Sequence, residues 1–323
     1  MNYITLRQLR YFHALARESH FGRAAEACAV TQPALSMQIK ELEDALGVVL
    51  IERDARKARL TKFGEEAAAR VDQILRSVDE LGNLARASGG ELAGHFRIGM
   101  IPTIAPYLLP ALIGDLAQSH PDVELHMREA VTSKLIQELA EGRIDGAILA
   151  LPISEPSLTE VALFSENFVL VRPAADDRLP VPASEKLREM KLLLLEEGHC
   201  FREQALSFCK MPRGRSREAM DASSLSTLVQ MVSAGLGVTL IPEMAVRLET
   251  RSAAVAVARF KDPQPSRIVG MVWRRTTPLA RQLLQLSDVV QRSAASLRVK
   301  QKSEPAARNV HFVGTARKRR QKR

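Results

Sequence analysis

The feature that most restricts what this chain can fold into is an alternation of strand and helix patterns in its middle. HFRIGMI reads as a strand, IAPYLLPALIGDLAQSH as a helix that ends before Pro121, VELHMREA as a strand, SKLIQELAEGR as a helix and DGAILAL as a strand. A βαβαβ order implies a parallel sheet covered by helices. A second set follows after residue 160: FVLVRP, KLLLLEE, a cysteine-bearing segment, SSLSTLVQMVSAGLG and VTLIPE. The chain then returns through SRIVGMVWRR to a long helix from about 278 to 299. Two α/β lobes of this kind hold ligands in the cleft between them, at strand ends. Thr103 follows the first strand and Thr132 the second, so both are candidate cleft residues; each also suits a routine helix cap.

The ends of the chain are different in kind. Residues 1–63 carry a net +3 and residues 301–323 a net +7, which leaves −1 for everything between. Basic ends around a neutral middle point to nucleic acid at the ends and another task in the middle. LRQLRYFHALARE has a helical apolar stripe at Leu6, Leu9, Phe12 and Leu15. In FGRAAEAC, small Ala24, Ala25 and Cys28 share a face and let a second helix cross closely. Thr31 is a natural N-cap, and Pro33 suits a first helical turn. From there Leu35, Ile39, Leu42 and Leu46 mark a buried face, opposite Pro33, Ser36, Met37 and Lys40, with Gln32 at the helix start and Gly47 at its end. Two short helices with a tight turn make a helix-turn-helix. VVLIERDARKARLT then reads as a β-wing whose Arg53, Arg56, Lys57 and Arg59 can meet phosphates. A small helical bundle with a solvated charged face is the plainer alternative.

EEAAARVDQILRSVDELGNLARAS sets Ala67, Val71, Ile74, Val78, Leu81 and Ala85 at spacings of four and three, a heptad seam suited to a dimer. It could instead pack on the middle of the chain. SGGELAG at 88–94 marks a domain boundary.

FGRAAEACAVTQPALSMQIKELEDALGVVLIERDARKARLTKFG closely resembles the winged helix-turn-helix of LysR-type transcriptional regulators, with AA-x8-QPALS-x2-I-x2-LE-x3-G-x2-L-x2-R nearly letter for letter. Met37 departs from the pattern, since many relatives are basic there. The resemblance implies that Thr31, Gln32, Pro33, Ser36 and Lys40 lie near base edges or flanking phosphates of double-stranded DNA and that Arg53 and Arg56 grip its backbone. It also implies an α/β, two-lobed, periplasmic-binding-protein-like sensor domain after the dimerisation helix. The expected organisation is a winged helix-turn-helix over 1–63, a linker helix over 64–88 with Val71, Ile74, Val78 and Leu81 on its dimer face, a regulatory domain over 89–300 and a basic tail over 301–323.

GHCFREQALSFC holds two of the three cysteines, Cys200 and Cys209. On one helix they would be about 13.5 Å apart along the axis and half a turn out of phase, whereas a disulfide needs Cα atoms roughly 4.4–6.8 Å apart. Two inert buried thiols are therefore one reading. The other starts from Cys200, which follows a Gly-His turn and would stand at a helix N-terminus, where a thiolate is favoured, near His199 and Arg202 but also Glu196 and Glu197. No CxxC pair, G-x-S-x-G, HExxH or phosphate loop is present, so no metal site, cofactor or enzyme activity is expected. LLLLEEGHC-x8-C, IPTIAPYLLP, EAVTSKLIQ and SRIVGMVWR resemble the peroxide-sensing branch of the LysR-type family over nearly residues 1–300. That likeness implies that Cys200 is oxidised by hydrogen peroxide to a sulfenic acid and resolved by Cys209. It further implies that Thr103, Thr132, His199 and Arg267 line the peroxide pocket or support the thiolate, and that a homotetramer recruits RNA polymerase.

The alternatives are a regulator of the same family that binds a metabolite in its cleft, and a thiol peroxidase, which would leave the basic ends and the seam unexplained. No apolar run reaches the roughly 18 residues of a membrane span and the N-terminus has no apolar signal core, so a cytoplasmic protein is expected. The tail ending TARKRRQKR is expected to be disordered, and either adds phosphate contacts or is merely solvated.

Overall fold

The computed structural model describes residues 3–54, 57–87, 90–210 and 221–303 of the 323-residue chain. Arg56 and most of the basic tail lie outside the described residues. The chain divides into two compact units, Met1–Glu91 and Leu92–Arg323.

In the first unit α1 (Leu6–Glu18), α2 (Phe21–Ala27) and α3 (Gln32–Leu46) pack on one core. α1 begins with a capping box: the Gln8 amide N–H donates to Thr5 Oγ1, and the Thr5 amide donates to Gln8 Oε1. Ala24 and Ala25 are buried where the short α2 meets its neighbours. Gly47 stops α3 with a left-handed φ of 70°. Leu35, Ile39 and Leu42 are buried as the periodicity predicts, but Leu46 is 36% exposed, because the last turn of α3 runs past the core. The wing is the antiparallel pair β1 (Ile51–Asp54) and β2 (Lys57–Leu60). Glu43 ties it to α3 by accepting from the amides of Leu50 and Ile51 at 2.8 and 3.1 Å. α4 (Lys62–Ala87) then starts hard against the wing, and at Gly64 any Cβ would run into the Leu50 carbonyl.

The second unit opens with β3 (Gly94–Met100), α5 (Ala105–Ser119), β4 (Val123–Glu129), α6 (Thr132–Ala140) and β5 (Gly146–Leu151). β3 pairs in parallel with both β4 and β5, as the alternation requires. The chain continues through β6 (Leu158–Pro173), α7 (Ser184–Leu187), β7 (Leu194–Leu195), α8 (Cys200–Phe208), β8 (Asp221–Ala222), α9 (Leu225–Ser233), β9 (Thr239–Pro242), α10 (Val246–Glu249), β10 (Val255–Arg259), β11 (Ser266–Arg274) and α11 (Ala280–Ser303). Among the described residues the main sheet has seven strands in the order β10-β6-β11-β5-β3-β4, with β9 also on β6.

Three features differ from the sequence reading. FVLVRP is only the second half of the 16-residue β6, which joins the sheet at both ends by antiparallel pairing. KLLLLEE keeps just a two-residue strand, with one further parallel bridge from Leu192 to Val238. β10 was not expected, since its short alternation of valine and alanine gives a weak period-two signal. Two cores result. One gathers β3, α5, α6, β5, part of β11 and α11; the other gathers the later half of β6, α8, α9 and β9.

Candidate functional site

α8 lies between those two cores. His199 is its N-cap, Cys200 its first residue and Cys209 its C-cap. Phe201, Ala205 and Leu206 are buried in the second core, where Phe201 meets Phe168 edge-on at 4.9 Å between centroids. Cys209 is fully buried in that same core. Cys200 is half-buried and packs instead against the first core. The two thiols therefore belong to different cores at opposite ends of one nine-residue helix.

Beside α8 sits a buried charge network. The register of β6 and β11 places Glu166 opposite Arg267. Arg267 Nε donates to Glu166 Oε2 at 2.8 Å, Nη1 to Thr103 Oγ1 at 2.8 Å and Nη2 to the Thr103 carbonyl at 2.9 Å. Glu166 Oε1 accepts from the Met244 amide at 3.0 Å. Arg267 and Glu166 expose 0% and 3% of their side chains, so each depends on the other. The guanidinium also stands 5.9 Å from the centroid of Phe201, the neighbour of Cys200. The sequence pointed to Thr103 and Arg267 but not to Glu166, which sits between Ser165 and Asn167 in a polar stretch of β6 and gives no local signal; only strand pairing shows its partner.

Neither threonine is a helix N-cap, since Ile104 and Val131 hold those positions. The Thr103 hydroxyl is taken up by Arg267, while Thr132 Oγ1 is shielded from solvent and has no hydrogen-bond partner. A buried hydroxyl without a partner is available to a small polar ligand. His199 is held locally, its amide donating to the Glu196 carbonyl at 3.5 Å; burial lowers its pKa, and Glu196 opposes that shift.

The two thiols also differ electrostatically. Burial pushes Cys209 up to about 11, against a smaller opposing effect of Arg188. At pH 7 the Cys209 thiolate is then roughly one part in ten thousand. An unfolded cysteine ionises near 9.0, so the folded chain keeps a proton that the unfolded chain loses, and this burial costs stability as pH rises from about 9 to about 11. Alkylation of the reduced folded protein with iodoacetamide at pH 8 is expected to label Cys200 at least about a hundredfold faster than Cys209. Peptide mapping at timed intervals checks this, and equal rates would mean that α8 opens freely.

In the first unit, α3 presents Gln32, Pro33, Met37 and Lys40 exposed and Ser36 half-exposed. Thr31 is the N-cap by position, but its exposed side chain makes no capping hydrogen bond. Arg53 lies on β1 opposite Ala58. On α4 Val71 is taken up by the unit's own core, Val78 is half-exposed, and Ile74 and Leu81 are 45% and 69% exposed.

Comparison with known proteins now decides the class. Residues 6–65 match the bacterial regulatory helix-turn-helix protein, lysR family, and residues 89–295 the LysR substrate binding domain. The chain belongs to the LysR family. A LysR-family protein is a DNA-binding transcriptional regulator, and its relatives narrow the comparison further. A probable hydrogen peroxide-inducible genes activator of Streptomyces viridosporus is 40% identical over 92% of this chain and 96% of its own length. The DNA-binding transcriptional dual regulator OxyR of Escherichia coli is 40% identical over 89% and 95%. Among solved structures, a peroxide-bound cysteine-to-serine variant of Corynebacterium glutamicum OxyR is similar with a TM-score of 0.66 and 34% identity, over 96% of this chain and 99% of that one.

Proposed function

We propose that this LysR-family regulator is activated by hydrogen peroxide through Cys200 and Cys209. The observation that carries the reading is the placement of the two thiols at opposite ends of α8, in separate cores. Peroxide oxidises the Cys200 thiolate to a sulfenic acid, its O–O bond breaking and hydroxide leaving. The Cys209 thiol then attacks that sulfur, forming the disulfide and releasing water. The helix holds the pair about 13.5 Å apart along its axis, well beyond the reach of a disulfide. Bonding therefore opens α8, breaks the hydrogen bond that the Cys209 N–H donates to the Ala205 carbonyl and the one that Arg188 Nε donates to the Cys209 carbonyl, and pulls Phe208 from its edge-on contact with Phe260. Oxidation in this way drives a bistable element of the fold. Thr103, Thr132, His199 and Arg267 form the peroxide pocket in this reading, supported by the unpartnered Thr132 hydroxyl and by the closeness of Arg267 to Phe201.

The output is DNA binding. Thr31, Gln32, Pro33, Ser36 and Lys40 face double-stranded DNA, and Arg53 and Arg56 hold its backbone. Residues 1–63 bind DNA, 64–88 dimerise, 89–300 sense, and the basic tail 301–323 adds phosphate contacts. The chain works in the cytoplasm as a homotetramer that engages RNA polymerase. No helix among the described residues is long and apolar enough to cross a membrane.

The test is chemical. Reduced protein receives near-stoichiometric hydrogen peroxide and is digested without reductant. A peptide joining Cys200 to Cys209, formed rapidly and in high yield, is the expected product. Two free thiols would reject the peroxide reading in favour of a cleft-bound metabolite, and a lone Cys200 sulfenic acid would reject the pairing. The dimer face has its own test. Leu81→Glu removes an apolar contribution of about 1.5–3 kcal/mol per chain, twice per dimer, so dimerisation should weaken at least about a hundredfold. Sedimentation at low concentration reads this, and an unchanged dimer would place the interface elsewhere.

A further inference from the structure

We infer that His95, Glu124 and His126 form a zinc-binding site on the outer face of the sheet. The parallel register sets His95 of β3 opposite Glu124 of β4, and Arg97 opposite His126. Side chains two apart on a strand share a face, so the three residues lie together. Their ligand atoms lie within 4.8 Å of one another. His95 Nδ1 is 2.7 Å from a Glu124 carboxylate oxygen, and the two imidazoles are 5.9 Å apart between centroids.

Two imidazoles and one carboxylate are a donor set that zinc accepts, with the fourth position left to water. Bonds of 2.0–2.2 Å at tetrahedral angles put ligand atoms about 3.3 Å apart. All three side chains are exposed and can rotate to close that gap. The partly buried Val123, Leu125 and Met127 pack β4 onto the first core, so the backbone beneath the ligands is held firmly.

Two cations share the face, and each has its own carboxylate. Arg97 pairs with Asp145 at 2.9 Å and Arg128 with Glu138 at 3.2 Å. Neither carboxylate is a member of the proposed ligand set. The site is separate from the thiol switch, because His95 starts β3 whereas Thr103 follows its end. The five extended residues from His95 to the end of β3 at Met100 alone span about 16 Å. The ligands come from two strands and become neighbours only through pairing, so a search for local cysteine or histidine spacing passes over them.

Thiols also bind zinc, so the experiment separates the two sources. Full-length protein, kept reduced with a phosphine, is titrated calorimetrically with zinc chloride. His95→Ala/His126→Ala and Cys28→Ser/Cys200→Ser chains are titrated in parallel, with circular dichroism as a check on folding. The wild type and the cysteine variant should each bind one zinc per chain at this site, and the histidine variant should lose at least about tenfold in affinity. A wild type that takes up no zinc overturns the inference. So does a folded histidine variant that titrates like the wild type, or a cysteine variant that loses all binding. The peroxide response of the histidine variant should match that of the wild type.

Discussion

A Cys200→Ser chain is expected to form no disulfide at any dose of hydrogen peroxide and to show no peroxide-dependent change in DNA footprint. Serine cannot become a sulfenic acid, and Cys209 cannot take over the first step. Its thiol is fully buried and ionises only near 11. Folding should be little affected, because position 200 is the half-exposed first residue of a helix, where serine is well tolerated. The loss would thus be one of chemistry. The companion change is best made as Cys209→Ala, since a serine hydroxyl in that core would cost about 1–3 kcal/mol unless it found a partner. In Cys209→Ala the Cys200 sulfenic acid should still form and be captured by dimedone. It should then go on to sulfinic acid with excess peroxide, because nothing resolves it. A Cys200→Ser chain that still changed its footprint with peroxide would move the sensor away from α8.

Those two substitutions also separate what distance does from what reactivity does. In the proposed mechanism Cys200 reacts first, at the accessible start of the helix, and Cys209 second, because it must leave its core to do so. In that mechanism α8 opens only after the first oxidation is complete. Arg202 restrains that opening: its Nη1 donates to the Leu195 carbonyl at 2.7 Å and to Asp221 at 2.8 Å, tying the first turn of α8 to β7 and β8.

Much of this was legible in the sequence, and for definite reasons. The helix-turn-helix could be read because each helix carries its own period and its own stop, as at Gly47. The parallel strands β3, β4 and β5 could be read because helices separate them along the chain. The position of Cys200 at a helix start followed from the Gly-His turn before it. What could not be read depended on pairing between distant segments. Glu166 and Arg267 are 101 residues apart and meet only through the register of β6 and β11. β6 was cut short because its first half, LTEVALFSE, mixes polar and apolar residues without a clean period. Val71 belongs by spacing to the α4 seam, yet packs within its own unit, since a heptad does not say which side of a helix is already covered.

The largest expected effect on stability is at Arg267. Arg267→Ala leaves Glu166 charged, buried and without its partner, and removes two bonds to Thr103. Breaking a buried pair from one side costs about 3–5 kcal/mol, which for a unit of this size lowers Tm by roughly 10 °C. Replacing both members should behave otherwise. In Arg267→Met/Glu166→Gln the glutamine oxygen can still accept from the Met244 amide, and the methionine fills the apolar space beside Phe201. Removal of a whole buried pair is often neutral, so most of the lost Tm should return. Reactivity should not return with it. A nearby cation favours a thiolate and a nearby carboxylate opposes it. Arg267, rather than Glu166, is the member that meets Phe201 beside Cys200. Slower alkylation of Cys200 is expected in both variants, more so in Arg267→Ala, where the opposing Glu166 charge remains. Differential scanning calorimetry gives the first readout and timed alkylation the second. If the double variant regains both Tm and the Cys200 rate, Arg267 is a structural strut alone and the thiolate draws its support from the N-terminus of α8.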